Sequence, residues 1–116
     1  MFKNFINFMT KKLPPMTKED TIYIGRKPTM SYVKEVIREL RSGKEVVNLK
    51  ARGVLISKVV DVAEITRNRF IPDLKVVGYV MGTEKLIPGS EESSRGVSAL
   101  AIRLSKEDYE MEIVYL

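Results

Sequence analysis

Two short basic segments each precede a run of apolar residues with helical spacing. The first is Gly25-Arg26-Lys27, and the second is Lys50-Ala51-Arg52-Gly53, which Lys58 follows one turn later. A turn before a helix exposes backbone N–H groups, and the helix N-terminus adds partial positive charge, so such turns attract phosphates. Glycine lets the backbone approach a ligand closely. The two segments therefore predict a site that holds phosphate groups rather than one that performs a reaction.

The residue types that most often carry out catalysis are missing from the chain. It contains no Cys and no His, which excludes disulfides, Cys/His zinc sites, nucleophilic cysteine and histidine general-base chemistry. An all-carboxylate metal site has only Asp61, Glu64 and Asp73 as candidates, and these have the positions of ordinary helix-face and turn acids. We therefore expect no enzyme activity, no cofactor and no metal.

The basic charge is concentrated in one part of the chain. The net charge is +5, but residues 21–58 carry nine Lys and Arg against three Glu, a net +6. Residues 59–116 carry seven basic and ten acidic groups, a net −3. This pattern predicts an anionic partner: nucleic acid, an acidic protein or a membrane surface. No apolar run is long enough to cross a bilayer and the N-terminus lacks a secretion signal, so we expect a cytoplasmic protein without a membrane partner.

The length of 116 residues and the hydrophobic content of 44% suit one small domain, whose thin core favours dimerisation. We expect a leader over residues 1–20, the main domain over residues 21–104 and an acidic C-terminal extension over residues 105–116. The leader has apolar residues at helical spacing from Phe2 to Leu13. It is either a frayed segment that packs loosely or a short amphipathic helix that docks on its own dimer, on another protein or on a membrane surface.

Alternating strand and helix patterns predict an α/β (α+β two-layer) domain of order β-α-β-α-β-β. The first helix presents Met30, Val33, Ile37 and Leu40 as its apolar face. Strands one and two can lie side by side, which would bring both basic turns to the same end of the sheet. The last ten residues form either an added strand or a loose acidic tail. The expected elements are strands at 21–24, 46–50, 74–83 and 97–104, helices at 29–42 and 55–70, a turn at 51–53 and a polar hairpin at 84–96.

Two blocks of the sequence resemble the Alba (Sac10b-like) family of chromatin proteins. The first block runs through Ile24-Gly25-Arg26-Lys27-Pro28-Thr29-Met30-Ser31-Tyr32-Val33. The second starts at Lys50-Ala51-Arg52-Gly53 and continues through Ile56-Ser57-Lys58-Val59-Val60-Asp61, Glu64-Ile65 and Arg67-Asn68-Arg69-Phe70. The resemblance covers residues 21–104, and the leader and the tail lie outside it.

The resemblance implies a fold similar to the C-terminal domain of a bacterial translation initiation factor. It implies a homodimer, or a heterodimer with a paralogue, that coats double-stranded DNA in the nucleoid and also binds RNA. Phe70 would be the apolar residue through which neighbouring dimers touch. The implied nucleic-acid contacts are Arg26, Lys27, Lys50, Arg52 and Lys58 on the sugar-phosphate backbone, with Lys85 and Arg95 at the ends of the hairpin that follows the minor groove.

Two positions depart from the family pattern. Val54 stands where many members carry a second Arg, which predicts one phosphate contact fewer and a lower affinity. Arg26 stands where some members have a Lys that is open to acetylation, and an arginine side chain cannot be acetylated in that way.

Several of the implied contact residues also have a structural alternative. Lys58 could pair with Asp61 or near the i+4 position of its helix, and Phe70 could belong to the core. The other cations could be solvated surface charges, in the first turn for Arg26 and Lys27 and in the hairpin for Lys85 and Arg95.

The sequence also fits two other functions, RNA binding and binding to an acidic protein. The same cations would serve an RNA-binding protein or a ribonucleoprotein subunit. The leader or the acidic C-terminal extension would instead serve an interaction module with an acidic protein partner.

Overall fold

The computed structural model describes residues 11–85 and 96–116. These residues form five strands and two helices, and the second helix is extended by a short turn at each end. In chain order these are β1 (Thr21–Tyr23), α1 (Thr29–Arg41), β2 (Val46–Arg52), a 3₁₀ turn (Gly53–Leu55), α2 (Ile56–Ile65), a π-helical turn (Thr66–Phe70), β3 (Lys75–Lys85), β4 (Gly96–Ser105) and β5 (Glu112–Tyr115).

The strands make one mixed sheet in the order β1-β2-β4-β3-β5. β1 runs parallel to β2, and β5 runs parallel to β3, while β4 is antiparallel to both of its neighbours. The core lies between one face of the sheet and the two helices. It contains Val47 and Leu49 of β2, Val33 and Val36 of α1, and Val59 of α2. The predicted two-layer α/β fold is confirmed, and the C-terminal residues form an added strand.

The apolar face of α1 differs from the predicted one. Val33 and Leu40 are buried as expected, but Met30 is 37% exposed and Tyr32 is buried instead. The buried stripe runs through Tyr32, Val36 and Leu40 at a spacing of four residues. The Tyr32 hydroxyl also accepts hydrogen bonds from the basic turn that precedes the helix.

The turn predicted at residues 51–53 is wrong for its first two residues. Ala51 and Arg52 continue β2 and pair with Leu100 and Ala99 of β4. The chain turns at Gly53, whose φ of +58° lies in the left-handed region that favours glycine. The strand is longer than predicted because β4 offers it two more partners.

The face of the sheet opposite the helices carries the end of the leader and the C-terminal segment. Residues 11–16 cross this face, and Lys11 forms a bridge with Tyr109. Gly78 allows the close approach, since a Cβ there would lie 2.9 Å from Leu13 Cδ1 and 3.1 Å from the Glu112 carbonyl oxygen. The helix predicted in the leader falls mostly on residues 1–10, outside the described residues.

Candidate nucleic-acid interface

The two basic segments meet at one end of the sheet. β1 and β2 are parallel, with Tyr23 opposite Lys50, and the Ile24 N–H donates to the Lys50 carbonyl at 2.8 Å. The turn after β1 therefore lies beside the last residues of β2, as the sequence predicted. We call this surface the basic end. It comprises Arg26, Lys27, Lys50, Arg52 and Lys58.

The conformation of the first basic turn is held by Tyr32. The Gly25 N–H and the Lys27 N–H donate to the Tyr32 hydroxyl at 2.8 and 3.2 Å. The ammonium groups of Lys27 and Lys58 lie 5.5 and 5.4 Å from the centre of the ring, within the range of cation–π attraction. One buried side chain thus fixes the backbone of the turn and holds two of its cations nearby.

Lys58 also acts on this turn. Its Nζ donates to the Gly25 carbonyl at 2.9 Å and to the Lys27 carbonyl. The structure therefore has Lys58 bonded to these two carbonyls rather than paired with Asp61. An ammonium has three donors, so one remains for a ligand. Lys58 positions the turn, and its direct contact with phosphate stays a prediction.

Lys50 and Arg52 share the carboxylate of Glu84, which no local sequence pattern marks as part of the site. Lys50 Nζ lies 2.6 Å from Glu84 Oε2, and Arg52 Nε lies 3.7 Å from Glu84 Oε1. The sequence pattern predicts Glu84 in the polar hairpin, but β3 continues to Lys85 and includes Glu84 in the sheet. No short sequence pattern links residues 50 and 84, because β4 lies between their strands.

Tyr23 is a second residue of this surface that neither of the basic segments includes. Its side chain is 56% exposed, whereas its neighbours Ile22 and Ile24 are buried. The alternation of side chains along a strand would have predicted this, because two core residues on either side place Tyr23 on the opposite face. An exposed aromatic ring therefore lies opposite Lys50 in the register.

The other predicted contacts are spread over a wider surface. Arg26 and Lys27 are exposed in the first turn, and Lys85 is exposed at the end of β3. Arg95 and the rest of the hairpin from residue 86 lie outside the described residues. Val54 is 94% exposed beside Arg52, so an apolar side chain faces solvent next to the basic end.

Phe70 lies away from the basic end, at the close of the π-helical turn. It is 49% exposed and is not a core residue. Together with Ile37 and three cations of α1, it lines an open cavity of about 460 Å³. The cations are Lys34, Arg38 and Arg41. A contact between dimers at Phe70 stays a prediction.

The acids considered as metal ligands do not converge. Within residues 11–85 and 96–116, no group of three or more Asp and Glu side chains is placed to hold a metal ion. Glu64 pairs with Arg67 at 3.0 Å. Across the same residues, no helix has the length and apolar character needed to cross a membrane.

The sequence profile of the family named Alba matches residues 20–81. The chain belongs to the Alba family. The "DNA/RNA-binding protein Alba" of Thermoplasma acidophilum is 45% identical over 91 residues, which cover 78% of this chain and all of the relative. The "DNA/RNA-binding protein Alba 1" of Archaeoglobus fulgidus is 44% identical over 89 residues, covering 77% and 98%. Both relatives are named as binding proteins rather than as enzymes.

Solved structures agree with this assignment. Alba from Thermoplasma volcanium superposes with a TM-score of 0.67 at 46% identity, covering 73% of this chain and 98% of that one. ALBA1 from Trypanosoma brucei has a TM-score of 0.61 at 19% identity, covering 80% and 74%, and this match shows the fold alone. The resemblance to Alba seen in the sequence is confirmed.

Proposed function

We propose that this Alba chain binds double-stranded DNA through the sugar-phosphate backbone, without reading the base sequence, and that it also binds RNA. The observation that carries the proposal is the basic end, where two cationic segments far apart in sequence meet on one surface. Arg26 and Arg52 are exposed there, and the Tyr32 hydroxyl holds the first turn in place. The names of the relatives support the same class of ligand.

The arrangement favours contacts with phosphates over contacts with bases. Four of the five cations of the basic end lie in the turn after β1 and on β2 rather than on a helix, so this surface does not present a base-reading helix to the major groove. Phosphate contacts position a protein on a duplex but carry no sequence information. Binding then draws its free energy mainly from the release of counterions, which makes affinity fall as salt rises.

The binding unit in this proposal is a dimer, either of two identical chains or with a paralogue, associated with the chromosome in the nucleoid. Exposed apolar side chains support association, including Val60 of α2 at 44% and Ile113 and Tyr115 of β5 at 55% and 75%. Two basic ends that contact roughly 6–10 phosphates would lose about 10³–10⁵ in affinity between low and moderate salt. Sedimentation equilibrium tests the dimer, and a monomer at micromolar concentration would contradict it.

Fluorescence anisotropy with two DNA duplexes of unrelated sequence, repeated over a range of salt, tests the binding mode. We expect similar affinities for both duplexes and a steep salt dependence. Arg52→Ala should weaken binding to both about 10-fold, because it removes an exposed phosphate contact without touching base recognition. A loss confined to one sequence, or an affinity that ignores salt, would contradict the proposal.

Arg41→Ala is the matched control for Arg52→Ala. It also removes one exposed Arg, but it lies at the last residue of α1, twelve residues beyond the helix start. At a rise of about 1.5 Å per residue, that is about 18 Å from the end of the helix that adjoins the basic turn. The control should change the affinity less than about 2-fold, the size of a long-range charge effect screened by salt.

A second candidate function is the binding of RNA with unpaired nucleotides, which the exposed ring of Tyr23 favours. Aromatic side chains beside cations stack with unpaired bases, and each stacked base is worth about 1–3 kcal/mol. Competition between duplex DNA, duplex RNA and single-stranded RNA at one salt concentration separates the candidates. A clear preference for the single strand would favour an RNA-binding or ribonucleoprotein role, and no binding to any of them would favour an acidic protein partner.

A further inference from the structure

Glu84 lies within the basic end and faces the same cations that the proposed function assigns to phosphates. Glu84 Oε2 is 2.6 Å from Lys50 Nζ, and Glu84 Oε1 is 3.7 Å from Arg52 Nε. The side chains of Lys50 and Glu84 are only 21% and 29% exposed, so water and salt screen this pair less than a surface pair.

The sheet is built so that these side chains meet across an intervening strand. Lys50 and Arg52 of β2 pair with Ala101 and Ala99 of β4. Glu84 is on β3, the next strand beyond β4, and pairs with Val97. Paired residues share a face of the sheet, and strands are about 4.8 Å apart, so β2 and β3 are separated by about 10 Å. The two small alanines leave room for the long side chains to join above β4.

A phosphate that approaches this surface meets an occupied pair of cations. Carboxylate and phosphate are both anions that take charge-assisted hydrogen bonds from ammonium and guanidinium groups. Either the carboxylate moves away and exposes its charge, or it stays and repels the phosphate. Both outcomes oppose binding.

We infer that Glu84 is a built-in competitor for phosphate, which occupies Lys50 and Arg52 in the free protein and lowers the affinity of the basic end for nucleic acid. This inference rests on the proposed function. The carboxylate also keeps two close cations from repelling each other before a ligand arrives. The protein therefore binds a duplex more weakly, and leaves it more readily, than its count of cations alone would predict.

Glu84→Gln tests the inference because it removes the charge and keeps the size of the side chain. Glu110→Gln is the matched control, since Glu110 is exposed in the segment before β5 and the substitution changes the net charge equally. The dissociation constant for one DNA duplex is measured for both variants over a range of salt. We expect Glu84→Gln to bind roughly 3- to 10-fold more tightly and the control to change by less than about 2-fold.

The salt dependence provides a readout that a merely structural role would not move. In the wild type, the displaced carboxylate must attract a cation from solution, which reduces the net release of counterions. The slope of log affinity against log salt should therefore be steeper for Glu84→Gln, by up to about one unit for each basic end in the complex. Thermal unfolding checks that the variant is folded.

A second background tests whether Glu84 acts through its two partners. In a Lys50→Gln/Arg52→Ala chain, Glu84→Gln should tighten binding by less than about 2-fold, because only the direct repulsion between the carboxylate and phosphate is left to remove. A tightening there as large as in the wild-type background, or one that the Glu110 control shares, would overturn the inference. So would unchanged or weaker binding by Glu84→Gln, since a residue that only positions Lys50 and Arg52 would weaken binding when removed.

The titration of the wild type with a duplex distinguishes a failure of the proposed function from a failure of the inference about Glu84. If the wild type binds duplexes with a steep salt dependence and Glu84→Gln is not tighter, the inference fails alone. If the wild type and Glu84→Gln both fail to bind nucleic acid, the proposed function fails and the inference fails with it.

Discussion

The cations of this chain are used in two opposite ways at two places on the same sheet. At the basic end, Arg26 and Arg52 are exposed, and Glu84 is the acid that lies near Arg52. Near the other end of β4, Arg103 is 2% exposed and is held on three sides. Its Nε donates to Asn48 Oδ1 at 2.9 Å, its Nη2 donates to the Pro14 carbonyl at 2.6 Å, and its Nη1 lies 3.7 Å from Glu112 Oε1.

The difference follows from what covers each cation. Residues 11–16 and β5 close over Arg103, and this burial lowers the pKa of its guanidinium from the ordinary value, while Glu112 acts in the opposite direction. A cation that has lost its water must be satisfied by protein groups, so it links β2, the leader and β5 together. The exposed cations of the basic end, Arg26, Lys27 and Arg52, stay in contact with water and can exchange it for phosphate. An arginine therefore stabilises the fold where it is buried and is available to bind a ligand where it is exposed.

Replacing Arg103 should produce the largest effect on stability. We expect Arg103→Met to lower the free energy of unfolding by about 2–4 kcal/mol, because it leaves the buried Asn48 amide and the Pro14 carbonyl without a donor. Urea denaturation measures the loss, and Arg69→Met, at an exposed position, is the control. The affinity of the folded variant for a duplex should stay within about 2-fold of the wild type. A variant that loses affinity for a duplex but keeps its stability would contradict the assignment of Arg103 to the fold and of the basic end to binding.

Tyr32 should show an intermediate effect, because it is a core residue that also holds the basic turn. Tyr32→Phe keeps the packing but removes the acceptor of the Gly25 and Lys27 N–H groups. We expect a loss of about 1–2 kcal/mol in stability together with a few-fold loss of affinity for a duplex. Tyr115→Phe, at a side chain that is 75% exposed, is the control and should change neither quantity. A stable variant with normal affinity would show that the hydroxyl does not position the turn.

Asp20 should give the smallest effect, and one that depends on pH. A hydrogen bond from Thr17 and a second from Lys44, whose Nζ lies 3.2 Å from Asp20 Oδ1, lower the pKa of this carboxyl. A lowered pKa stabilises the fold above the unfolded-state value of about 3.9 and loses that stabilisation as pH falls through the folded-state value. Asp20→Asn should therefore cost less than about 1 kcal/mol at pH 7, since the pair is partly exposed.

The same variant should match the wild type in stability once the pH falls well below 4. Thermal melts between pH 7 and pH 2.5 measure the difference in melting temperature between the wild type and Asp20→Asn. A difference that stays constant across this range would mean that the charge of Asp20 does not stabilise the fold.

Much of the fold could be predicted because its signals are local. Apolar residues at helical or alternating spacing set the order of the elements, and residue types alone marked Arg26, Lys27, Lys50 and Arg52 as a candidate phosphate site. One error fell where a distant contact overrode a local pattern, since pairing with β4 extends β2 through Arg52. In α1 the error was local, because the buried stripe includes Tyr32 and leaves Met30 partly exposed. The placement of the leader and the C-terminal extension as segments apart from residues 21–104 remains a prediction.

By itself, the sequence determined the class of chemistry and the family of this protein. A chain without Cys or His, with its positive charge gathered in residues 21–58, is suited to holding anions, and the two Alba blocks can be read residue by residue. Only the tertiary structure decided which cations are free to bind. Lys58 is drawn onto backbone carbonyls, Lys50 is paired with Glu84 and Arg103 is covered. These outcomes depend on residues 31 to 89 positions apart in sequence, and no local pattern encodes such contacts.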